Sequence, residues 1–131
     1  MYALDTNTLI YFFKGKGNVA RFLLNASPKD IAIPAIVLFE LEVGISKSTA
    51  PEKRREQLAD LIAAVRILPF GIKEARCSAR LRADLERAGN PIGPFDTLIA
   101  GTALAHGATL VTRNTREFSR IRNLPLANWY H

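Results

Sequence analysis

The sequence predicts an α/β fold, a short and mostly parallel sheet flanked by helices on both faces. Short apolar runs alternate with segments whose apolar residues recur at helical spacing, the pattern of a parallel sheet joined by crossover helices. The helical segments open on proline or a capping residue, and two of them close on glycine. At 131 residues, 48% of them hydrophobic, the chain can build one core and one domain over residues 1–131.

The first apolar stretch, Tyr2–Leu4, reads as a strand. It runs into a helix carrying Leu9, Ile10, Phe12 and Phe13, with Thr6 as its cap. Gly15 and Gly17 break that helix, residues 19–24 form a second, and residues 30–33 a second strand. Pro34 suits the first turn of a helix over 34–46. Residues 51–65 start the same way and space Leu58, Leu61, Ile62 and Val65 helically, before a short strand at 67–69. Residues 72–88 form a long helix stopped by Gly89, and residues 94–106 another stopped by Gly107. A strand at 109–112 follows. Asp5 and Asn114 then lie just past strand ends, where functional groups gather in open parallel sheets.

With 18 Lys and Arg against 12 Asp and Glu, the formal charge is +6. Polyanions are therefore the partners to weigh, and charge alone leaves nucleic acid and anionic membrane open. The longest charge-free run, 97–112, is too short to span a bilayer and is interrupted by Gly101, His106 and Gly107. No membrane association is expected. The start Tyr2-Ala3-Leu4-Asp5 lacks the basic opening of a signal peptide, so a cytoplasmic protein is expected. A single cysteine, Cys77, makes no internal disulfide, and His106 and His131 are too far apart to build a Cys/His zinc site. Any metal must be held by oxygen.

Three carboxylates stand out. Glu40 has Ile36, Val37, Val43 and Gly44 within about 60° of it on a helical projection, which sets it in an apolar face. An unpaired carboxylate there needs a cation, a proton or a partnering arginine, because its burial costs several kcal/mol. Glu42 points away and reads as a surface charge. Asp5 ends a strand, and capping the next helix accounts for it. Asp96 sits in the first turn of a helix, where the dipole accounts for it. If the strand ends and helix starts converge, however, the three repel one another unless a divalent cation neutralises them. An all-oxygen set suits Mg²⁺ or Mn²⁺, which keep several waters and use phosphate oxygens as further ligands. Such an ion acidifies water and stabilises a leaving oxygen in phosphodiester cleavage.

The motifs Leu4-Asp5-Thr6-Asn7, Glu40-Leu41 with Gly44, Pro91-Ile92-Gly93-Pro94-Phe95-Asp96-Thr97-Leu98-Ile99-Ala100, and Val111-Thr112-Arg113-Asn114-Thr115-Arg116-Glu117-Phe118 occur in that order. In them the chain resembles PIN-domain ribonucleases, specifically VapC toxins of type II toxin–antitoxin pairs, from Tyr2 to Trp129. The resemblance implies a three-layer PIN-like fold and a Mg²⁺- or Mn²⁺-dependent endoribonuclease, with tRNA as the first substrate to test. It implies Asp5 and Asp96 as metal ligands and Glu40 as the group that orients or deprotonates water or binds a second ion. Thr6 and Thr97 would steady the carboxylates. It further implies a cognate antitoxin and a toxin homodimer that assembles into a larger complex. Asn114 stands where many PIN domains have a fourth aspartate; an amide lines the site without a charge, which leaves a second metal position open. Glu117 either supplies that charge or pairs with Arg113 or Arg116, and the local spacing favours pairing.

Arg113, Arg116, Arg120 and Arg122 follow directly on the Asn114 motif with only Glu117 against them, well placed to hold RNA phosphates. Lys73, Arg76, Arg80 and Arg87 form a second stripe on the 72–88 helix, but Asp84 lies within it, and i,i+4 pairing accounts for it equally well. Trp129 and Tyr130 read as terminal aromatics covering the core. Two rivals remain. An aspartyl-phosphate phosphatase on Asp5 needs an acid two residues on, where Asn7 stands. A binding module with a decayed site would keep the basic surface and lose the acidic centre, and Asn114 is its best support.

Overall fold

The computed structural model describes residues 1–131. Five strands and seven helices follow in the order β1 (Tyr2–Leu4), α1 (Thr6–Lys14), α2 (Val19–Asn25), β2 (Ile31–Pro34), α3 (Ala35–Ser46), α4 (Pro51–Ala64), β3 (Arg66–Leu68), α5 (Ile72–Arg87), α6 (Pro94–Ala105), β4 (Thr109–Val111), α7 (Thr115–Phe118) and β5 (Leu126–Ala127), with a 3-10 turn at Pro28–Asp30. All strand pairs are parallel, in the order β3-β2-β1-β4-β5. Tyr2 pairs with Ile31 on one side and Thr109 on the other, and Leu4 with Val111.

This order has a consequence for function. Connections from β1 to β2 to β3 run one way across the sheet, and those from β3 to β4 to β5 run the other. Right-handed crossovers then place the two sets of helices on opposite faces, and β1 and β4 meet at the point where the direction reverses. A crevice opens there, past the carboxyl ends of both strands.

The strands are short and apolar because both faces are covered. Ala3, Leu4, Ile31, Ile33, Leu68, Leu110 and Val111 are buried with Leu9, Val19, Val37, Leu58, Ile99 and Phe118 from the helices. The α5–α6 pair packs closely: a methyl group added at Gly101 would stand 2.7 Å from the Ser78 Cα. Trp129 is buried, stacked on Phe22 at 5.8 Å and tilted against Tyr2 at 5.2 Å, so it closes the core. No helix is long and apolar enough to cross a membrane.

Three local expectations change. Of the two caps the sequence offers for α1, the helix takes Asp5, whose side chain accepts from the Thr8 N–H, and Thr6 is the first helical residue. Pro34 ends β2 and caps α3 instead of opening it, since its φ of −58° and ψ of 142° are extended. On α3 the buried stripe is Val37, Leu41 and Ile45; Val43 and Gly44 are exposed. Glu40 therefore sits half-buried at the edge of the packed face.

Candidate active site

Asp5 follows β1 in extended conformation and is 6% exposed. Its N–H donates to the Val111 carbonyl of β4 at 3.1 Å, and its Oδ1 accepts from the Thr8 N–H at 2.9 Å. The Thr8 hydroxyl donates to the same Val111 carbonyl at 3.2 Å, tying α1 to the β4 end. Burial raises the Asp5 carboxyl above the usual carboxylate range, bonds from Thr112 and Thr8 oppose this, and the Glu40 charge adds to the rise.

Asp96 occupies the first turn of α6, which Pro94 opens. It is half-buried and pushed up to about 6, first by burial and then by the charges of Glu117, Asp5 and Glu40, in that order. The charges of Asp5 just past β1, Glu40 on α3 and Glu117 on α7 thus all reach Asp96 at the start of α6, and Glu40 also reaches Asp5.

Glu40 and Glu117 are held by neighbours. The Thr6 hydroxyl donates to Glu40 Oε1 at 2.7 Å. Thr97 does not steady a carboxylate: its hydroxyl donates to the Gly93 carbonyl at 2.9 Å, within the first turn of its own helix. Asn114 caps α7, accepting from the Glu117 N–H at 3.4 Å and donating from Nδ2 to Glu117 Oε2 at 2.7 Å. The Gly93 N–H donates to Glu117 Oε1 at 3.4 Å. Glu117 pairs with neither Arg113 nor Arg116; it faces Asp96. Asn114 thus holds Glu117, whose charge reaches Asp96.

Thr112 is a residue that sequence reasoning missed. Fully buried, it bonds Asp5 and accepts from the Asn114 N–H at 3.0 Å, so it couples the two strand ends. Only its place at the end of β4 signals it.

The donors are all oxygen, and the charges repel. No set of three His, Cys, Asp or Glu side chains encloses an ion. That chemistry fits a hard cation that keeps several waters and takes one or two carboxylates, and it does not fit an all-protein cage.

The basic residues divide. Asp84 pairs with Arg87 at 3.2 Å and Glu86 with Arg82 at 3.2 Å, both exposed, which leaves Arg80 without an acid. Arg80, Arg120 and Arg122 line one cavity of about 540 Å³ between α5 and the loop after α7. Arg120 also donates to the Pro91 carbonyl at 3.1 Å, at the start of the loop that carries Gly93. The structure thus joins one member of the α5 stripe to the C-terminal cluster. Arg116 is exposed, and Arg113 lies over the Tyr130 ring.

The PIN domain family model matches residues 2–124. The tRNA(fMet)-specific endonuclease VapC of Salmonella typhimurium is 37% identical over 128 residues, covering 98% of this chain and 97% of the relative. Ribonuclease VapC2 of Rickettsia felis is 40% identical over 131 residues, with 98% of each covered. Among solved structures, VapBC2 of Rickettsia felis bound to a DNA fragment from its promoter superposes with a TM-score of 0.89 at 42% identity, covering 98% of each chain. DNA-bound VapBC of Salmonella typhimurium superposes at 0.87 and 38% identity, covering 98% of this chain and 97% of that one. Motif order, parallel topology and these full-length similarities agree: the chain belongs to the PIN-domain family, on the branch of the VapC ribonuclease toxins.

Proposed function

We propose that the protein is a Mg²⁺- or Mn²⁺-dependent endoribonuclease that cuts tRNA and is restrained by a cognate antitoxin. The observation that supports this best is the convergence of Asp5, Glu40, Asp96 and Glu117 at the β1–β4 crevice, where their mutual repulsion favours a bound cation. Asp5 and Asp96 are the residues to hold it, with Glu117 as a further carboxylate beside Asp96. When bound, the ion acidifies water and stabilises charge on the phosphate oxygens. Glu40, fixed by Thr6, accepts a proton or orients the attacking water. Asp5 is held by its capping bond, so it meets the substrate with little reorganisation. Arg116, Arg120 and Arg122 hold flanking phosphates, and Arg80 extends that path.

The substrate class follows the Salmonella relative, whose name specifies tRNA(fMet). An antitoxin partner follows the VapBC assemblies that superpose on this chain. Phe39 and Phe95, 52% and 44% exposed with ring centroids 5.8 Å apart, stand one residue from Glu40 and Asp96. They form an apolar lip against which a partner, or the second protomer of a toxin dimer, can pack while a basic side chain enters the acidic site.

Purified protein incubated with total tRNA in Mg²⁺, Mn²⁺ or EDTA tests the reading. Discrete fragments that need the metal and vanish in Asp5→Asn and Asp96→Asn proteins support it. Equal cleavage by wild type and both variants would overturn the site assignment.

A further inference from the structure

Arg113 stands between Thr112 and Asn114, just past the end of β4, yet it meets no carboxylate. Its guanidinium carbon lies 3.6 Å above the Tyr130 ring centroid and 5.6 Å from that of Tyr11, and the two rings are 4.8 Å apart at 68°. Seen from the guanidinium carbon, both rings therefore lie in roughly the same direction. Arg113 nonetheless remains exposed to solvent.

The rings are themselves fixed. The Asn18 N–H donates to the Tyr130 carbonyl at 3.0 Å, and the Tyr130 N–H donates to Asn128 Oδ1 at 2.9 Å. Gly17, with φ +64°, lets the Tyr130 ring lie directly on the α1–α2 turn, where any Cβ would stand 2.7 Å from it. The carboxyl end of the chain is thereby clamped beside α1, with its ring facing Arg113. An exposed guanidinium seated on an aromatic offers a nucleobase a flat cationic surface without the entropy cost of ordering a loose arginine.

We propose that Arg113, seated on Tyr130 and braced by Tyr11, is a base-stacking shelf that takes one unpaired nucleobase of the RNA next to the cleaved phosphate. This rests on the ribonuclease reading above. It assigns Arg113 a positioning role distinct from the phosphate contacts of Arg116, Arg120 and Arg122, since a stacked guanidinium reads the base plane while its charge acts as a background.

The test uses binding, so that it does not depend on turnover. The probe is the anticodon stem-loop of initiator tRNA, intact or with one loop base at a time removed, titrated into Asp96→Asn protein in Mg²⁺. Removing one particular loop base weakens binding roughly 5- to 150-fold, the range for loss of one stacked base. Arg113→Lys, which keeps the charge and loses the plane, gives a similar loss on intact RNA and no further loss on that abasic probe. Its salt slope stays near that of the parent, whereas Arg116→Glu flattens it. Tyr130→Phe keeps the coupling and Tyr130→Leu loses it. Equal sensitivity to every loop base, or losses that simply add when Arg113→Lys meets each abasic probe, would overturn the shelf while leaving the nuclease reading standing. No binding of the intact stem-loop would overturn both.

Discussion

Asp96→Asn is expected to stabilise the cation-free protein and to abolish most of its stabilisation by Mn²⁺. The Asp96 carboxyl is pushed from 3.8 to about 6 by burial and by the Glu117, Asp5 and Glu40 charges. A shift of that size corresponds to about 3 kcal/mol of preference for the neutral form; because the group is half-buried, solvent screening reduces the cost at pH 7 to roughly 1.5 kcal/mol. Neutralising it forfeits about 0.5 kcal/mol of favourable contact with the N-terminus of α6. The net gain of about 1 kcal/mol raises Tm by roughly 3–5 °C in a domain of this size. In Mn²⁺ at about a hundred times its Kd, wild type gains about 2.7 kcal/mol, so the order of stabilities reverses. Thermal unfolding of both proteins in EDTA and across an Mn²⁺ series measures this. A variant less stable than wild type in EDTA, or one keeping the full Mn²⁺ shift, would refute the claim that carboxylate repulsion at this crevice is relieved by a cation.

Other outcomes follow from the same contacts. Asp96 is pushed up to about 6 in the folded state, so its stabilising effect is present below about pH 4 and is lost as pH rises through about 6, and burial raises Asp5 in the same direction; chemical denaturation of cation-free protein should show stability increasing from pH 7 to pH 5, and Mg²⁺ should flatten that slope. Asp5→Asn and Asp5→Ala should both abolish RNA cleavage, but only the alanine variant should lose about 1 kcal/mol of stability, because asparagine keeps the cap to the Thr8 N–H. Gly101→Ala should destabilise by about 1–3 kcal/mol in urea titration despite alanine's better helix propensity, since the added methyl meets the Ser78 backbone. Ser78→Ala should cost little in the same assay, because the buried hydroxyl has no hydrogen-bond partner to lose. Glu117→Gln should weaken Mn²⁺ binding more than Asn114→Ser, measured by calorimetric titration, if the carboxylate rather than the amide serves the ion.

The alternation of strands and helices was legible in the sequence because parallel strands are apolar throughout and their connecting helices carry their own start and stop residues. The shortest elements were not: α7 has four residues and β5 two, too few for any period to register. Pro34 misled because its fixed φ serves an extended strand end as well as a first helical turn. Glu40 was singled out for a partly mistaken reason. Helix α3 is apolar almost all round, so a projection could not separate the packed stripe of Val37, Leu41 and Ile45 from the exposed side bearing Val43. Asp5 and Asp96 were placed by a physical rule, that strand ends and helix starts meet at one edge of a parallel sheet. For Glu117 local spacing offers Arg113 and Arg116, whereas its carboxylate is held by Asn114 and reaches Gly93 and Asp96, both over twenty residues away. Arg113 shows the same limit. Nothing in its neighbourhood announces that Tyr130 and Tyr11 will seat it.

The cation proposed above would bind between Asp5 and Asp96 at the β1–β4 crevice. A crystal of the protein soaked in Mn²⁺, with anomalous diffraction recorded at the manganese edge, tests it most directly. The expected result is a peak between the Asp5 and Asp96 carboxylates, with Glu117, not Asn114, turned toward it. A manganese peak elsewhere on the surface with this crevice empty would contradict it.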